Sequence, residues 1–166
     1  MIVPIKFNIA VFNRVNVVKF SQEDPYIVIS INCPSDSPPD FEYDENRLGV
    51  QPIYINDVDD PVYAEKYGYR IMDKNQAENI LNFVESFKDK VNTIIVHCDA
   101  GRCRSAGVAA ALAKIYNIDD SLFWNNAAYK PSSHIYRLLL QTAIDLGIFD
   151  YDKRLKQIQE EREALG

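Results

Sequence analysis

Thr93-Ile94-Ile95-Val96-His97 runs directly into Cys98-Asp99-Ala100-Gly101-Arg102-Cys103-Arg104-Ser105, and that in turn into the alanine-rich segment ending at Tyr116. The first five residues are strongly apolar and mostly β-branched, the pattern of a strand covered on both faces inside a parallel sheet. Ser105 to Tyr116 is apolar almost all round, which predicts a buried central helix. A buried strand, a short loop and a buried helix therefore follow one another without a spacer. Such a turn aims successive backbone N–H groups and a helix N-terminus at one point, which suits a dianion. Gly101 permits a backbone turn with positive φ that a side chain resists. Arg104 offers a planar fork to two phosphate oxygens, and the same positive potential favours the thiolate of Cys98.

Working outward, the first third of the chain carries the weakest pattern. Tyr26 to Asn32 reads as a buried strand stopped by Cys33-Pro34, and Ser35 to Asp40 as a loop. Val50 to Asn56 reads as a further strand, weakened by Pro52. Asp57 to Pro61 is then a strand-end loop, and Val62 to Arg70 shows no clear period. Asp73-Lys74-Asn75-Gln76 has the form of a capping box, and Ala77, Ile80, Leu81, Val84 and Phe87 continue it as one apolar stripe. Downstream, Asp119 or Asp120 is placed to cap a helix over Leu122 to Ala128. Ser132 or Ser133 is placed to cap another that carries Ile135, Leu138, Leu139, Ala143 and Leu146 and stops at Gly147. From Tyr151 an amphipathic helix with Leu155, Ile158 and Leu165 is expected on the surface. Strands alternating with helices predict an α/β fold whose central, mostly parallel sheet of about four or five strands is flanked by helices.

The chain has 166 residues, 47% hydrophobic and 25% charged, which suits a single domain over residues 1–166 with a sizeable core. Its 18 Lys and Arg against 24 Asp and Glu give a net charge of −6, so nucleic acid is not expected as the default partner. No apolar run reaches the roughly 20 residues of a membrane span, and no membrane partner is expected. Met1 to Lys6 lacks the charged start and long apolar stretch of a secretory signal. Cys33, Cys98 and Cys103 cannot all pair, which points to a reducing, cytoplasmic setting. The two histidines and scattered carboxylates make no metal-ligand spacing, and Gly101 has no second glycine at nucleotide-loop spacing. Neither a metal nor a cofactor is expected, and a monomer is.

His97-Cys98-x-x-Gly101-x-x-Arg104-Ser105 resembles the H-C-x-x-G-x-x-R-[S/T] signature of the cysteine-dependent protein tyrosine phosphatases, specifically the compact dual-specificity-like branch of bacterial and viral type. The resemblance covers Tyr26 to Leu146 and implies a phosphatase domain of that fold. It implies that Cys98 attacks the phosphorus of a phosphomonoester and forms a cysteinyl-phosphate. Arg104 and the loop formed by Asp99, Ala100, Gly101, Arg102 and Cys103 would hold the equatorial oxygens. Ser105 would donate to the sulfur as it leaves, and His97 would support the loop rather than transfer protons. The family also uses a carboxylic acid on a loop after an upstream strand. Asp57 comes first after the expected strand end and is favoured. Asp60, which precedes a proline, is the alternative and Asp59 the third candidate.

Cys103 stands at the spacing of the second loop cysteine in low-molecular-weight tyrosine phosphatases. The resemblance implies either a protective disulfide with Cys98, making the enzyme redox-sensitive, or a small filler residue. Tyr129 to Arg137 resembles the P-N-x-x-V-Y-R stretch of bacterial members, with Ser132 in place of the usual asparagine. His134 is expected at a helix start rather than in the chemistry. Tyr63, Tyr67 and Tyr69 form either an aromatic wall suited to phosphotyrosine or ordinary packing. Substrates implied are a phosphorylated protein or a small phosphomonoester. A phosphoinositide or an RNA 5′-phosphate is the alternative, and a rhodanese-like sulfurtransferase or a non-catalytic phospho-binding module stands behind these.

Overall fold

The computed structural model describes residues 7–165, so Met1 to Lys6, read above for a secretory signal, lie outside it. Four strands, β1 (Asn8–Asn13), β2 (Tyr26–Asn32), β3 (Arg47–Tyr54) and β4 (Thr93–Cys98), form one sheet in the order β1-β4-β2-β3, with every pairing parallel. Among the described residues there are seven helices, α1 (Arg14–Val17), α2 (Pro61–Tyr67), α3 (Lys74–Phe87), α4 (Arg104–Ile115), α5 (Ser121–Trp124), α6 (Ser133–Asp145) and α7 (Tyr151–Leu165). The architecture is α/β, a parallel sheet flanked by helices. Among the described residues no helix is long and apolar enough to cross a membrane.

The period of two in the strands decides which residue meets which layer. Ile27, Ile29 and Ile31 of β2 and Ile94, Val96 and Cys98 of β4 join the main core with α3, α4 and α6. Their alternates Tyr26, Val28 and Ile95 join a smaller cluster on the opposite face, closed by Val17, Phe20 and Phe41. In α4, Ala106 and Val108 to Ala113 are all buried, as its all-round apolar sequence requires. Asp73 and Gln76 close the expected capping box at the start of α3, and the Ser132 hydroxyl accepts from Ile135 N at the start of α6.

Five elements differ from expectation. β1 and α1 lie in the weakly patterned first third: β1 is a six-residue edge strand, only partly buried, whose Ile9 and Val11 serve one core and Ala10 and Phe12 the other. β3 begins three residues earlier than expected and ends at Tyr54, because its pairing with β2 starts at Arg47. α2 occupies the segment without a period. Its signals are local instead: Asp60 caps it, Pro61 opens it, and Gly68 closes it at φ +72. α5 stops at Trp124 after one turn, and Asn126 accepts from Ala128 N in the turn that follows.

Candidate active site

Because all four strands run the same way, their C-terminal ends share one edge of the sheet. Arg14 follows β1, Cys33 follows β2, Ile55 to Asp60 follow β3, and Cys98 ends β4. In open parallel sheets the binding crevice lies outside this edge.

The loop from Cys98 to Arg104 turns its carbonyls outward. Asp99 O accepts from Arg14 N, Arg102 O from Lys130 N, and Cys103 O from both Ser132 N and Gly107 N. Among the described residues, the N–H groups of Ala100 to Cys103 donate to no carbonyl or side chain. That leaves these amide dipoles without an acceptor inside the described chain, as a backbone anion site requires. Gly101 makes the turn at φ +65, and a Cβ there would lie 2.8 Å from Phe12 C, Phe12 O and Asn13 N, so the loop is packed against the end of β1. Cys98 is buried, with its Sγ 3.0 Å from Ser105 Oγ.

Beneath the loop, His97 is fully buried and its Nε2 lies 2.6 Å from Ser30 Oγ. Its Nδ1 faces Cys98 O at 3.3 Å, and since a carbonyl only accepts, that nitrogen carries the proton. Burial pushes the imidazole down to about 4, so the neutral ring accepts from Ser30 Oγ. Asn32 Nδ2 donates to Ser30 Oγ, and Arg14 Nη1 donates to Asn32 Oδ1 at 2.7 Å. The line Arg14–Asn32–Ser30–His97 thus holds the loop's root from three strand ends.

Arg104 is only 4% exposed. Its Nη1 donates to Ile55 O at 2.9 Å, which fixes the guanidinium plane. The remaining edge, Nε and Nη2, is the one that grips two oxygens of an oxyanion. Nε is buried and has no hydrogen-bond partner. Asp57 Oδ1 stands 3.8 Å from Nε, and Asp99 Oδ2 stands 3.5 Å from Nη2. Nη2 thus makes one long hydrogen bond to Asp99, while Nε has only the looser approach of Asp57.

The three acid candidates separate cleanly. Asp60 caps α2, its Oδ1 accepting from Val62 N at 2.9 Å. Asp59 accepts from Ser132 Oγ at 2.6 Å, His134 N at 3.0 Å and Ser133 N at 3.3 Å. Burial works against its charge, but these bonds outweigh it and hold the carboxyl below its ordinary range. Asp57 alone is uncommitted, with its side chain 58% exposed and facing Arg104.

Other residues singled out from the sequence have definite places. Arg102 is exposed on the loop, and His134 lies at the start of α6, its Nε2 donating to Met72 O. Tyr63, Tyr67 and Tyr69 are about half exposed and pack ring to ring, Tyr63 tilted against Tyr67 at 4.6 Å and stacked on Tyr69 at 6.0 Å, rather than entering the core. Cys103 sits half-buried at the start of α4. Burial, then Asp57 and Cys98, push its thiol up. All three cysteines are free thiols.

The sequence reading missed Cys33. Its Sγ lies 3.6 Å from Arg104 Nη1 and donates to Asp99 Oδ2 at 3.3 Å. The available signal was its position immediately after a buried strand, the same position that Cys98 marks on β4. With Asp36 and Asp99 it also places three possible ligand atoms within 4.8 Å of one another. Arg104 already supplies positive charge to two of these three residues. A groove of about 540 Å³ runs beside the acid loop between Asp59, Asp60, His134 and Arg137. The larger concavity, about 960 Å³, lies between α7 and the ends of α3 and α4 and includes none of the strand-end residues. Compared with known proteins, the chain matches no family model and no curated protein sequence.

Proposed function

We propose that the chain is a cysteine-dependent phosphoric monoester hydrolase of the protein tyrosine phosphatase type and fold, acting on phosphotyrosine in proteins or on small aryl phosphates. The observation that carries this reading is the buried Arg104 fork with an unsatisfied Nε–H, placed beside a loop of open amides that begins at a buried cysteine. An unpaired buried donor is costly, and a bound oxyanion is the partner that satisfies it. The Ser105 hydroxyl at Sγ of Cys98 and an uncommitted carboxylate at the fork supply the remaining parts.

In the first step Cys98 Sγ attacks phosphorus, the S–P bond forming as the ester P–O bond breaks. The leaving oxygen takes its proton from Asp57. The loop amides and Arg104 stabilise the charge on the three equatorial oxygens. In the second step Asp57 takes a proton from water as its oxygen bonds to phosphorus, the S–P bond breaks, and Ser105 donates a hydrogen bond to the departing thiolate. Inorganic phosphate leaves and the thiolate is regenerated. His97, neutral and locked by Ser30, takes no part in the proton transfers. The exposed tyrosine stack beginning three residues beyond Asp60 supports an aryl phosphate as substrate.

Release of p-nitrophenol from p-nitrophenyl phosphate in EDTA tests the reading, with Cys98→Ser expected to abolish turnover while retaining binding of the phosphate ester. Undiminished activity of Cys98→Ser refutes it. Sulfur transfer from thiosulfate to cyanide in place of phosphate release assigns a sulfurtransferase instead.

A further inference from the structure

Asp57 makes no hydrogen bond of its own among the described residues, yet its 3.8 Å approach to Arg104 requires the acid loop to be held. The segment from Asn56 to Arg70 leaves the sheet and returns as one excursion. At its base Asn56 N donates to Arg70 O at 2.7 Å, and Arg70 N donates to Asn56 Oδ1 at 2.8 Å. The base therefore fixes one flank of Asp57. Two residues on, Asp59 reaches across to the start of α6 and takes three donors, Ser132 Oγ, Ser133 N and His134 N. Ser132 is itself buried and tied to the phosphate loop. Its N–H donates to Cys103 O at 3.0 Å, and its backbone presses on Gly107, where an added Cβ would meet Ser132 O at 3.0 Å. One residue thus connects the acid loop to the loop that carries Cys98 and Arg104.

We propose that Asp59 is a positioning residue that, through Ser132, fixes the general acid Asp57 relative to the phosphate loop. The geometry favours this over a purely local cap. Ser132 already caps α6 with its own hydroxyl at Ile135 N, so the helix does not depend on Asp59 for its Ile135 donor. The carboxylate spans 73 residues of sequence to bond the hydroxyl of a serine whose own backbone N–H bonds the phosphate loop. These donors hold the carboxyl below its ordinary range despite the burial that works the other way. The proposal rests on the phosphatase reading above, since it assigns Asp57 as the acid of that reaction.

The test compares kcat for dinitrophenyl phosphate, whose leaving group departs without a proton, with kcat for phenyl phosphate, whose leaving group needs one. Asp57→Asn should lose activity selectively on phenyl phosphate, by roughly a hundredfold or more, as expected for loss of general-acid catalysis. Asp59→Ala should show the same selective loss, at least about tenfold greater on phenyl than on dinitrophenyl phosphate, because displacement by about 1 Å costs a catalytic group most of its effect. Asp59→Asn keeps the Oδ1 that takes the two shortest bonds and should restore part of it. It also serves as the measured variant should Asp59→Ala fail to fold. The double variant Asp57→Asn/Asp59→Asn should be no slower on phenyl phosphate than Asp57→Asn alone. An equal loss on both substrates, or losses that multiply in the double variant, overturns the positioning role. Should Asp57→Asn itself treat the two substrates alike, the acid assignment falls first and the proposal with it.

Discussion

Replacing Gly101 with alanine tests whether the phosphate loop is held by backbone packing as the structure has it. Two separate costs arise. A residue with a Cβ at φ +65 pays roughly 1–2 kcal/mol for the left-handed conformation. The new Cβ also lies 2.8 Å from three backbone atoms of Phe12 and Asn13, none of which is a flexible side-chain end. Forcing such contacts apart adds about 1–3 kcal/mol. Gly68 isolates the first cost, because it has φ +72 and nothing within 4 Å of an added Cβ. For a domain of this size each kcal/mol moves Tm by about 2–4 °C. Calorimetry should therefore place Gly68→Ala roughly 2–8 °C below the parent and Gly101→Ala roughly 4–20 °C below it. Only Gly101→Ala should also lose phosphate release, by about a hundredfold, since its amides move away from the phosphate position. A Gly101→Ala protein that melts with Gly68→Ala and retains full activity refutes the packing argument and the loop geometry built on it.

The buried His97 makes a second prediction. Its pKa, about 4 in the folded chain against the ordinary 6.5, means that the unfolded chain binds the extra proton between those values. Its contribution, on the order of 3 kcal/mol, is fully present above pH 6.5 and lost as the pH falls to 4. Urea unfolding at pH 7 and pH 4.5 should show a smaller loss of stability for His97→Asn than for the parent, and equal losses contradict the buried neutral ring. Redox behaviour gives the third. If the expected switch operates, peroxide takes Cys98 to a sulfenic acid, and condensation with the Cys103 thiol releases water and leaves a disulfide that dithiothreitol reduces, where without Cys103 oxidation runs on to the irreversible sulfinic acid. The parent should regain activity after peroxide and dithiothreitol, and Cys103→Ser should not. Full recovery of Cys103→Ser together with loss of recovery in Cys33→Ser moves the resolving role to Cys33, which lies against Arg104.

What the sequence made legible follows from how local each signal is. The span Tyr26–Asn32 is a strand at the expected bounds because Ile27, Ile29 and Ile31 form one apolar set and Tyr26 and Val28 begin the other, a β-rich run buried on both faces. The capping box at Asp73 involves donors and acceptors three residues apart, so it is readable without tertiary knowledge. β1 is different. Its six residues acquire strand geometry by pairing with β4, 85 positions downstream in register, and an edge strand with polar ends carries little intrinsic pattern. Cys33 was invisible for the same reason. It is close to Arg104 only because parallel pairing of β2 and β4 brings their C-terminal ends together. α2 escaped the sequence reading because its exposed tyrosines give no apolar stripe to fix a helical period, although Asp60-Pro61 and Gly68 carried its local start and stop signals.

The three aspartates of the acid loop show where residue type stops carrying information and contact begins. Asp57, Asp59 and Asp60 share one chemistry, and their order along the chain gives no physical ground for different roles. Their partners do. Asp60 at α2 and Asp59 at α6 both spend their oxygens on donors at a helix start, so neither can turn toward an ester oxygen beside Arg104 without loosening a helix end. Asp57 has no such obligation, and gaining or losing a proton there disturbs only its loose contact with Arg104. In the proposed reaction an incoming phosphate dianion would compete for that same guanidinium edge, freeing Asp57 from this tie and leaving it beside the ester oxygen. The capping and tethering done by its two neighbours is what allows the remaining carboxyl to be both held in place and chemically free.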